Sequence, residues 1–259
     1  MTISRRQFIH TAAAFSGATL FLPFAARAEG GMGDVFKATG GDITIHPVGH
    51  ASFVMETPVG VVYCDPVGEA AQYSDLPKPD LVLVTHEHGD HYNAETLAAI
   101  VGENTAIIAN PAVHAMLPDA LKAKASQLAN GESSDWNGMG VEAIPAYNIT
   151  EDRLKFHPQG RDNGYVLNLD GFRVYISGDT ENVPEMKALE NIDVAFVCMN
   201  LPFTMDITQA ADGVNAFKPK YVYPYHFRGR DGGTQDPEKF AELAGDGIEV
   251  KIAEWYKPA

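Results

Sequence analysis

Four potential metal ligands lie within six residues of one another in the segment THEHGDH. His86, His88, Asp90 and His91 follow directly after the apolar run LVLV. Imidazole and carboxylate groups are the ligands that Zn²⁺ and similar divalent ions take in proteins. A single histidine is more often a packing or solvated residue, but four ligand-type side chains in one array predict a metal site.

The elements around this array are short strands separated by glycine and proline turns. They are predicted at 42–48, 52–56, 61–65 and 81–85. A helix is predicted to begin after Asn93, a residue type that caps helix N-termini well. The array therefore lies on a strand-to-helix loop, where the alternation of extended residues brings His86, His88 and Asp90 to one side.

Helices and strands alternate through the rest of the chain. The segment YVLNLDGFRVYIS predicts a hairpin that turns at Asp170-Gly171. The strands fall into two groups, each accompanied by helices, which predicts an α/β domain with two sheets packed face to face. Further strands are expected at 106–110, 126–129, 139–147, 193–199, 221–225 and 248–253, and helices at 111–117, 184–190, 206–217 and 235–243.

The motifs together resemble those of the metallo-β-lactamase superfamily over nearly the whole chain after residue 28. The matching pieces are GHASFVMET, VVYCDP, THEHGDH, YISGDT and YPYHF. The similarity is greatest to the ascorbate-phosphate lactonase branch and to the catalytic core of N-acyl-phosphatidylethanolamine phospholipase D. The resemblance implies a four-layer αββα sandwich of metallo-β-lactamase type, in which Asp179 bridges two metal ions and His226 completes the second site.

The positions of these residues in the predicted elements agree with that implication. Asp179 and His226 each follow the end of a predicted strand, so both can reach the same rim as His86. Asp65 also ends a strand and is expected either to orient a ligand imidazole or to cap a loop. His50 is expected to support a ligand or to pack at a strand edge.

One position departs from the family pattern. Many members carry a histidine midway between the signature and the bridging aspartate, and Asn148 stands there in this chain. His157 is the candidate to supply the missing imidazole, and an exposed loop histidine is the alternative. Zn²⁺ is the expected ion, with Mn²⁺ or iron as alternatives. The number of ions, one or two, stays open.

Hydrolysis by a metal-bound hydroxide is the predicted chemistry, because a zinc-type ion lowers the pKa of bound water to roughly 7. Asp90 is expected to orient this water and take up its proton. Tyr147 is a candidate donor to the developing oxyanion, although a tyrosine in an apolar strand is more often a core residue.

The predicted substrate is a small molecule with an ester, lactone or phosphodiester bond. Arg228 and Arg230 follow His226, while Lys155 and Arg161 flank His157. This clustering favours an anionic substrate, with ordinary solvated charges as the alternative. Two other functions stay open: a non-catalytic periplasmic metal-binding protein and an iron-dependent oxidoreductase of the same fold.

The first residues resemble a twin-arginine export signal. Arg5 and Arg6 precede a short, interrupted apolar stretch, and a small-x-small site ends at Ala28. We expect residues 1–28 to be removed and 29–259 to form the hydrolase domain. The predicted location is the periplasm, reached through the twin-arginine translocation machinery, with no stable membrane anchor after cleavage.

Charge and cysteine content exclude several classes of function. The 259-residue chain has a net charge of -15, and loss of the signal would leave 16 basic against 34 acidic residues, or -18. Nucleic acid and anionic membrane surfaces are therefore not expected as partners. Cys64 and Cys198 lie in apolar strand-like runs and are expected to be buried core residues rather than a disulfide or a nucleophile.

Overall fold

Two β-sheets packed face to face form the centre of the protein. They are seen in a computed structural model, which describes residues 26–27 and 33–256. The first sheet has seven strands in sequence order. Its members are β2 (Asp34–Ala38), β3 (Gly41–Gly49), β4 (Ser52–Thr57), β5 (Gly60–Cys64), β6 (Leu81–Val84), β7 (Ala106–Ala109) and β8 (Ala125–Gln127).

The second sheet has eight strands in the order β1-β15-β14-β13-β12-β11-β10-β9. They are β1 (Ala26–Arg27), β9 (Ser133–Trp136), β10 (Met139–Ala146), β11 (Asp162–Leu169), β12 (Phe172–Ile176), β13 (Val194–Cys198), β14 (Tyr221–Tyr225) and β15 (Glu249–Ile252). β1 lies within the segment assigned above to the export signal. The rest of that segment lies outside the described residues.

Strand alternation decides which side chains fill the space between the sheets. Phe53 and Met55 of β4 belong to the central core, whereas Val54 faces the helices outside the sheet. Leu83 of β6 points inward and Val84 outward in the same way. Both faces of the sheet are therefore buried, as in an α/β fold.

Helices cover the outer face of each sheet, so the protein is a four-layer αββα sandwich, as predicted. The first sheet carries α1 (Ala94–Ile100), α2 (Pro111–Met116) and α3 (Asp119–Lys122), and the second carries α4 (Pro184–Lys187), α5 (Ile207–Phe217) and α6 (Pro237–Leu243). The side chain of Asn93 caps α1 by accepting from the backbone N–H of Thr96, as its type predicts. No helix among the described residues is long and apolar enough to cross a membrane.

Most of the predicted elements are present, and the hairpin between β11 and β12 turns at Asp170-Gly171 as expected. Both turn residues have positive φ, 50° and 92°, as a tight two-residue hairpin requires. Sequence analysis missed β2, β9 and α3. These are short, and β9 (SSDW) has only one large apolar residue to reveal it.

The topology brings the site together at one edge of the sandwich. Strands β5 and β6 run parallel to each other, as do β12, β13 and β14. Asp65, His86, Asp179 and His226 each lie one to three residues beyond the carboxyl end of one of these strands. Loops at that end of the two sheets thus carry all four residues to a common rim.

Candidate metal centre

The carboxylate of Asp179 lies at the centre of a cluster of histidines. Asp179 is only 3% exposed. Its Oδ2 atom lies 3.4 Å from Nε2 of His157, and its Oδ1 atom lies 3.4 Å from Nε2 of both His91 and His226. The two oxygens of one buried carboxylate therefore face two different sets of imidazoles.

The set on the Oδ2 side consists of His86, His88 and His157. One ring nitrogen from each lies within 4.8 Å of the others. Nε2 of His86 and Nδ1 of His88 are 3.2 Å apart. The loop histidine His157, the candidate to supply the missing imidazole, thus lies beside the two signature histidines.

The set on the Oδ1 side consists of Asp90, His91 and His226. Oδ2 of Asp90 lies 3.5 Å from Nε2 of His226. His91 is fully buried, whereas the side chain of Asp90 is 48% exposed. This half of the cluster therefore opens toward solvent at Asp90.

The donor atoms have the spacing of ligands around a metal ion, and several of them lack the bonding partner that an ion would provide. Two atoms bound at about 2.0–2.1 Å to one tetrahedral ion lie about 3.4 Å apart, which matches the separations around Asp179. Four buried atoms of this cluster have no hydrogen-bond partner among the described residues: Nε2 of His91, His157 and His226, and Oδ1 of Asp179. An unsatisfied buried polar atom costs about 1–3 kcal/mol, so the residues present fit a metal pair.

Polar side chains behind the cluster contact three of these imidazoles and orient them. Oδ2 of Asp65 accepts from Nδ1 of His91 at 2.7 Å, the contact predicted for it. Oδ2 of Asp162 lies 2.9 Å from Nδ1 of His157. Nδ1 of His226 lies 3.1 Å from the side-chain amide of Asn200. Such partners fix the ring so that Nε2 points inward.

The electrostatics of the cluster also suit a cation. Burial alone would raise the pKa of Asp179, but His226 and His91 hold it well below the usual range, so the carboxylate is charged. Burial, reinforced by His91, lowers the pKa of His86 well below its ordinary value. Burial lowers the pKa of His157, but Asp162 and Asp179 outweigh it and raise the pKa to about 9. A bound cation would take the place of that proton.

Asn148 is bound to backbone groups through its two nitrogens, although it occupies the position where the family pattern expects a histidine. Its amide nitrogen donates to the backbone carbonyls of Arg153 and Phe203, at 2.9 and 2.7 Å. Its backbone N–H donates to the carbonyl of His157 at 2.8 Å. The loop thus returns to Asn148 and delivers His157 beside it.

A buried ion pair holds this loop. Glu181 is fully buried, and its Oε2 accepts from the backbone N–H groups of Ile149 and Thr150 at 2.6 Å. Its Oε1 accepts from Arg153 at 2.7 Å. Glu181 follows Asp179 by two residues, so one short segment supplies the central carboxylate and anchors the loop of His157.

His50 supports the open half of the cluster. Its Nε2 lies 3.3 Å from Oδ2 of Asp90, and its Nδ1 lies 2.9 Å from the hydroxyl of Tyr256. His50, Asp65 and His226 all have positive φ, between 44° and 55°. Non-glycine residues rarely adopt this conformation, and where they do the strain often marks a functional site.

A cleft of about 510 Å³ opens over the cluster. Its volume is in the range of small-molecule sites. Besides ligand residues, its walls include Phe156, Phe203, Asn200, Arg228 and Arg230. Of the four predicted rim cations, Arg228 and Arg230 line this cleft. Lys155 is exposed and does not line the cleft, although its Nζ lies 5.0 Å from the centre of the Phe156 ring; Arg161 is paired with Glu87 and Asp162.

The oxyanion role predicted for Tyr147 does not fit the structure. The Tyr147 hydroxyl donates to Oε2 of Glu185 at 2.9 Å, and its ring packs in the central core. It is absent from the lining of the cleft. The prediction failed because Tyr147 follows a strand of the second sheet with its side chain turned toward α4.

Comparison with known proteins assigns the chain to a family. Residues 44–226 match the family model described as the beta-lactamase superfamily domain. The chain belongs to the metallo-β-lactamase superfamily. A UPF0173 metal-dependent hydrolase of Pyrococcus horikoshii is 31% identical over 215 residues, which cover 79% of this chain and 93% of the relative. This protein is therefore a metal-dependent hydrolase of that superfamily, as the sequence predicts.

Solved structures agree with this assignment. A Parabacteroides distasonis protein whose name proposes a metal-dependent hydrolase is 41% identical, with a TM-score of 0.78 over 86% of this chain and 99% of that one. A metallo hydrolase of Ignicoccus hospitalis shares the fold, with 23% identity and a TM-score of 0.65 over 81% of this chain and 94% of that one.

The two cysteines take no part in the site. Both Cys64 and Cys198 are buried and free, which confirms the prediction of core residues. Burial raises the pKa of the Cys198 thiol to about 12, so it stays protonated at neutral pH.

Proposed function

We propose that this protein is an exported hydrolase that cleaves an ester, lactone or phosphodiester in a small anionic molecule, using two divalent ions. The observation that carries the proposal is the divided environment of Asp179, whose two oxygens face two imidazole sets. Zn²⁺ is the expected ion, because imidazole and carboxylate donors in four-membered sets suit it.

The residues divide into two ligand sets that share Asp179. His86, His88 and His157 with Oδ2 of Asp179 would hold one ion; Asp90, His91 and His226 with Oδ1 would hold the other. A divalent ion bound there polarises the scissile carbonyl or phosphoryl group and lowers the pKa of a coordinated water.

Asp90 is the residue that can handle the proton in this reaction. Its carboxylate is the most exposed of the acidic groups in the cluster and lines the cleft. Burial alone would raise its pKa, but hydrogen bonds with His226 and His50 hold the pKa well below the usual range, so the carboxylate is ionised. Oδ2 of Asp90 can therefore accept a hydrogen bond from the attacking water, and the proton that this water loses would pass between Oδ2 and Nε2 of His50, 3.3 Å away.

The resemblance to the ascorbate-phosphate lactonase and phospholipase D branch supports lactones and phosphodiesters as candidate bonds. Arg228 and Arg230 on the cleft support an anionic substrate. Net charge argues against nucleic acid at this cleft, because a chain at -15 repels a phosphate backbone.

Export to the periplasm rests on the paired Arg5 and Arg6. Replacing both by lysine should leave the full-length precursor in the cytoplasm of cells with an intact twin-arginine pathway. Fractionation and immunoblotting would show this, and normal processing of the variant would contradict the proposal.

Metal-dependent turnover is the direct test of the catalytic proposal. Protein stripped with a chelator and reloaded with Zn²⁺, Mn²⁺ or Fe²⁺ should hydrolyse at least one of an aryl ester, a lactone and an aryl phosphodiester. Asp90→Asn should abolish turnover, while Lys78→Gln, an exposed charge change outside the cleft, should not. No turnover by fully loaded protein would favour the non-catalytic alternative.

A further inference from the structure

We propose that the cleft selects amphiphilic anions. Arg228 and Arg230 would bind a carboxylate or phosphate group on the side of His226, and Phe156 and Phe203 would pack against an apolar group beside His157. The inference rests on the proposed hydrolytic function, and it adds the residues that determine specificity.

The two cleft arginines differ from the others in having no acidic partner. Five arginine side chains fall within the described residues. Among those residues, no carboxylate lies within ion-pair distance of Arg228 or Arg230, in a chain with 34 acidic residues. The other three are paired: Arg153 with Glu181, Arg161 with Glu87 and Asp162, and Arg173 with Glu142.

Tyr256 fixes the position of Arg228. The guanidinium carbon lies 4.2 Å from the centre of the Tyr256 ring, a cation–π contact. The backbone N–H of Arg228 donates to the Tyr256 hydroxyl at 3.1 Å. The same hydroxyl also contacts His50, the residue that lies beside Asp90. Tyr256 therefore links Arg228 to Asp90 through His50.

The loop of Arg230 is held equally closely. The backbone N–H of Arg230 donates to the carbonyl of Leu201 at 3.1 Å. A Cβ atom on Gly229 or Gly233 would lie 2.0 or 1.9 Å from that carbonyl oxygen, so only glycine allows the loop to approach. The side chain of Arg228 and the backbone that carries Arg230 are therefore preorganised, which lowers the entropic cost of binding an anion.

The apolar part of the cleft is an aromatic pair. The rings of Phe156 and Phe203 meet edge to face, with centroids 5.0 Å apart. Both side chains are half-buried and line the cleft. Phe156 directly precedes His157, while Arg228 follows His226 by two residues. The apolar and cationic surfaces thus flank different halves of the metal centre.

Matched esters test this specificity with the zinc-loaded protein. The probes are 4-nitrophenyl hexanoate, the mono-4-nitrophenyl ester of adipic acid and the 4-nitrophenyl ester of 5-phosphonopentanoic acid. They differ only in a terminal methyl, carboxylate or phosphonate. One water cleaves each to a carboxylic acid and 4-nitrophenol. The wild type should prefer an anionic end by about tenfold in kcat/KM, and the preferred anion identifies the group recognised.

Variants assign the preference to residues. The double variant Arg228→Gln, Arg230→Gln should lose the preference for an anionic end, through a higher KM for the adipate and phosphonate esters. Arg173→Gln removes one arginine charge near the Asp170-Gly171 turn, away from the cleft, and this variant should keep the preference. A wild type without preference, or a preference that survives the double variant, would overturn the proposal.

Binding of amide analogues separates this inference from the proposed reaction. Adipic acid monoanilide should bind the zinc-loaded protein more tightly than hexananilide in calorimetry, and the double variant should abolish the difference. Phe203→Ala should weaken both ligands by the same factor; unchanged affinity would overturn the apolar part. A preference in binding without ester turnover would refute ester hydrolysis and leave the cleft assignment standing.

Discussion

The two histidine-bearing loops of the metal centre are held in different ways. The signature loop carries His86, His88 and His91, and a single buried carboxylate, Asp65, accepts both from His91 and from Thr85 within it. The loop of His157 depends instead on Glu181, which contacts it through two backbone N–H groups and Arg153. Both anchors lie 20 or more residues from the groups they hold, but the signature loop carries three histidines, whereas the loop of His157 carries one.

This difference explains why the ligands of one loop can be recognised from the sequence as a motif and the ligand of the other cannot. A compact array of ligand types is visible as a motif, because the chain itself brings the residues together. A single histidine such as His157 forms no such array, so no adjacent residue marks it as a ligand. Substitutions that disturb one loop are therefore expected to affect metal binding differently from substitutions that disturb the other.

Loss of the shared ligand should have the largest effect. Asp179→Asn removes the charge that faces both histidine sets, so turnover should fall roughly 10³-fold or more. Elemental mass spectrometry should show loss of metal from both positions, with far-UV circular dichroism unchanged. A variant that keeps full metal content would contradict the bridging role.

The two anchors should then show which ligand set each supports. Asp65→Asn should weaken metal binding at the His91 side, and Glu181→Gln at the His157 side, each by about 10–100-fold. Competition with a chromophoric chelator would resolve the two binding steps. If both variants weakened the same binding step, the claim that each anchor supports a different ligand set would be wrong.

Asn148→Ala should lower stability without removing a ligand. The buried amide satisfies two carbonyls, so its loss should cost about 1–3 kcal/mol in the free energy of unfolding. Metal content should stay at the wild-type value. Urea unfolding and elemental analysis would check this, and loss of one ion in the variant would return Asn148 to the ligand set.

Tyr147→Phe should have the smallest effect. Removing the hydroxyl breaks only the hydrogen bond to Glu185, for a loss of about 1 kcal/mol or less. The kcat should match that of the wild type. A large fall in kcat with normal stability would restore the oxyanion role predicted from the sequence.

Much of the architecture could be predicted because it depends on local sequence patterns. Strand alternation, the Asn93 cap and the Asp170-Gly171 turn each depend on a few adjacent residues. The interpretation of Tyr147 failed because the direction of a side chain beyond a strand end depends on tertiary packing. The roles of Glu181 and Tyr256 had no local signal, since their partners lie tens of residues or more away.

The most direct test of the two-set centre is the number of metal equivalents per chain in wild type, His157→Ala and Asn148→Ala. Protein expressed from the full-length sequence, in medium with zinc, iron and manganese, would be measured by elemental mass spectrometry. We predict about two ions in wild type and Asn148→Ala and about one in His157→Ala. One ion in wild type, unchanged by His157→Ala, would contradict the account.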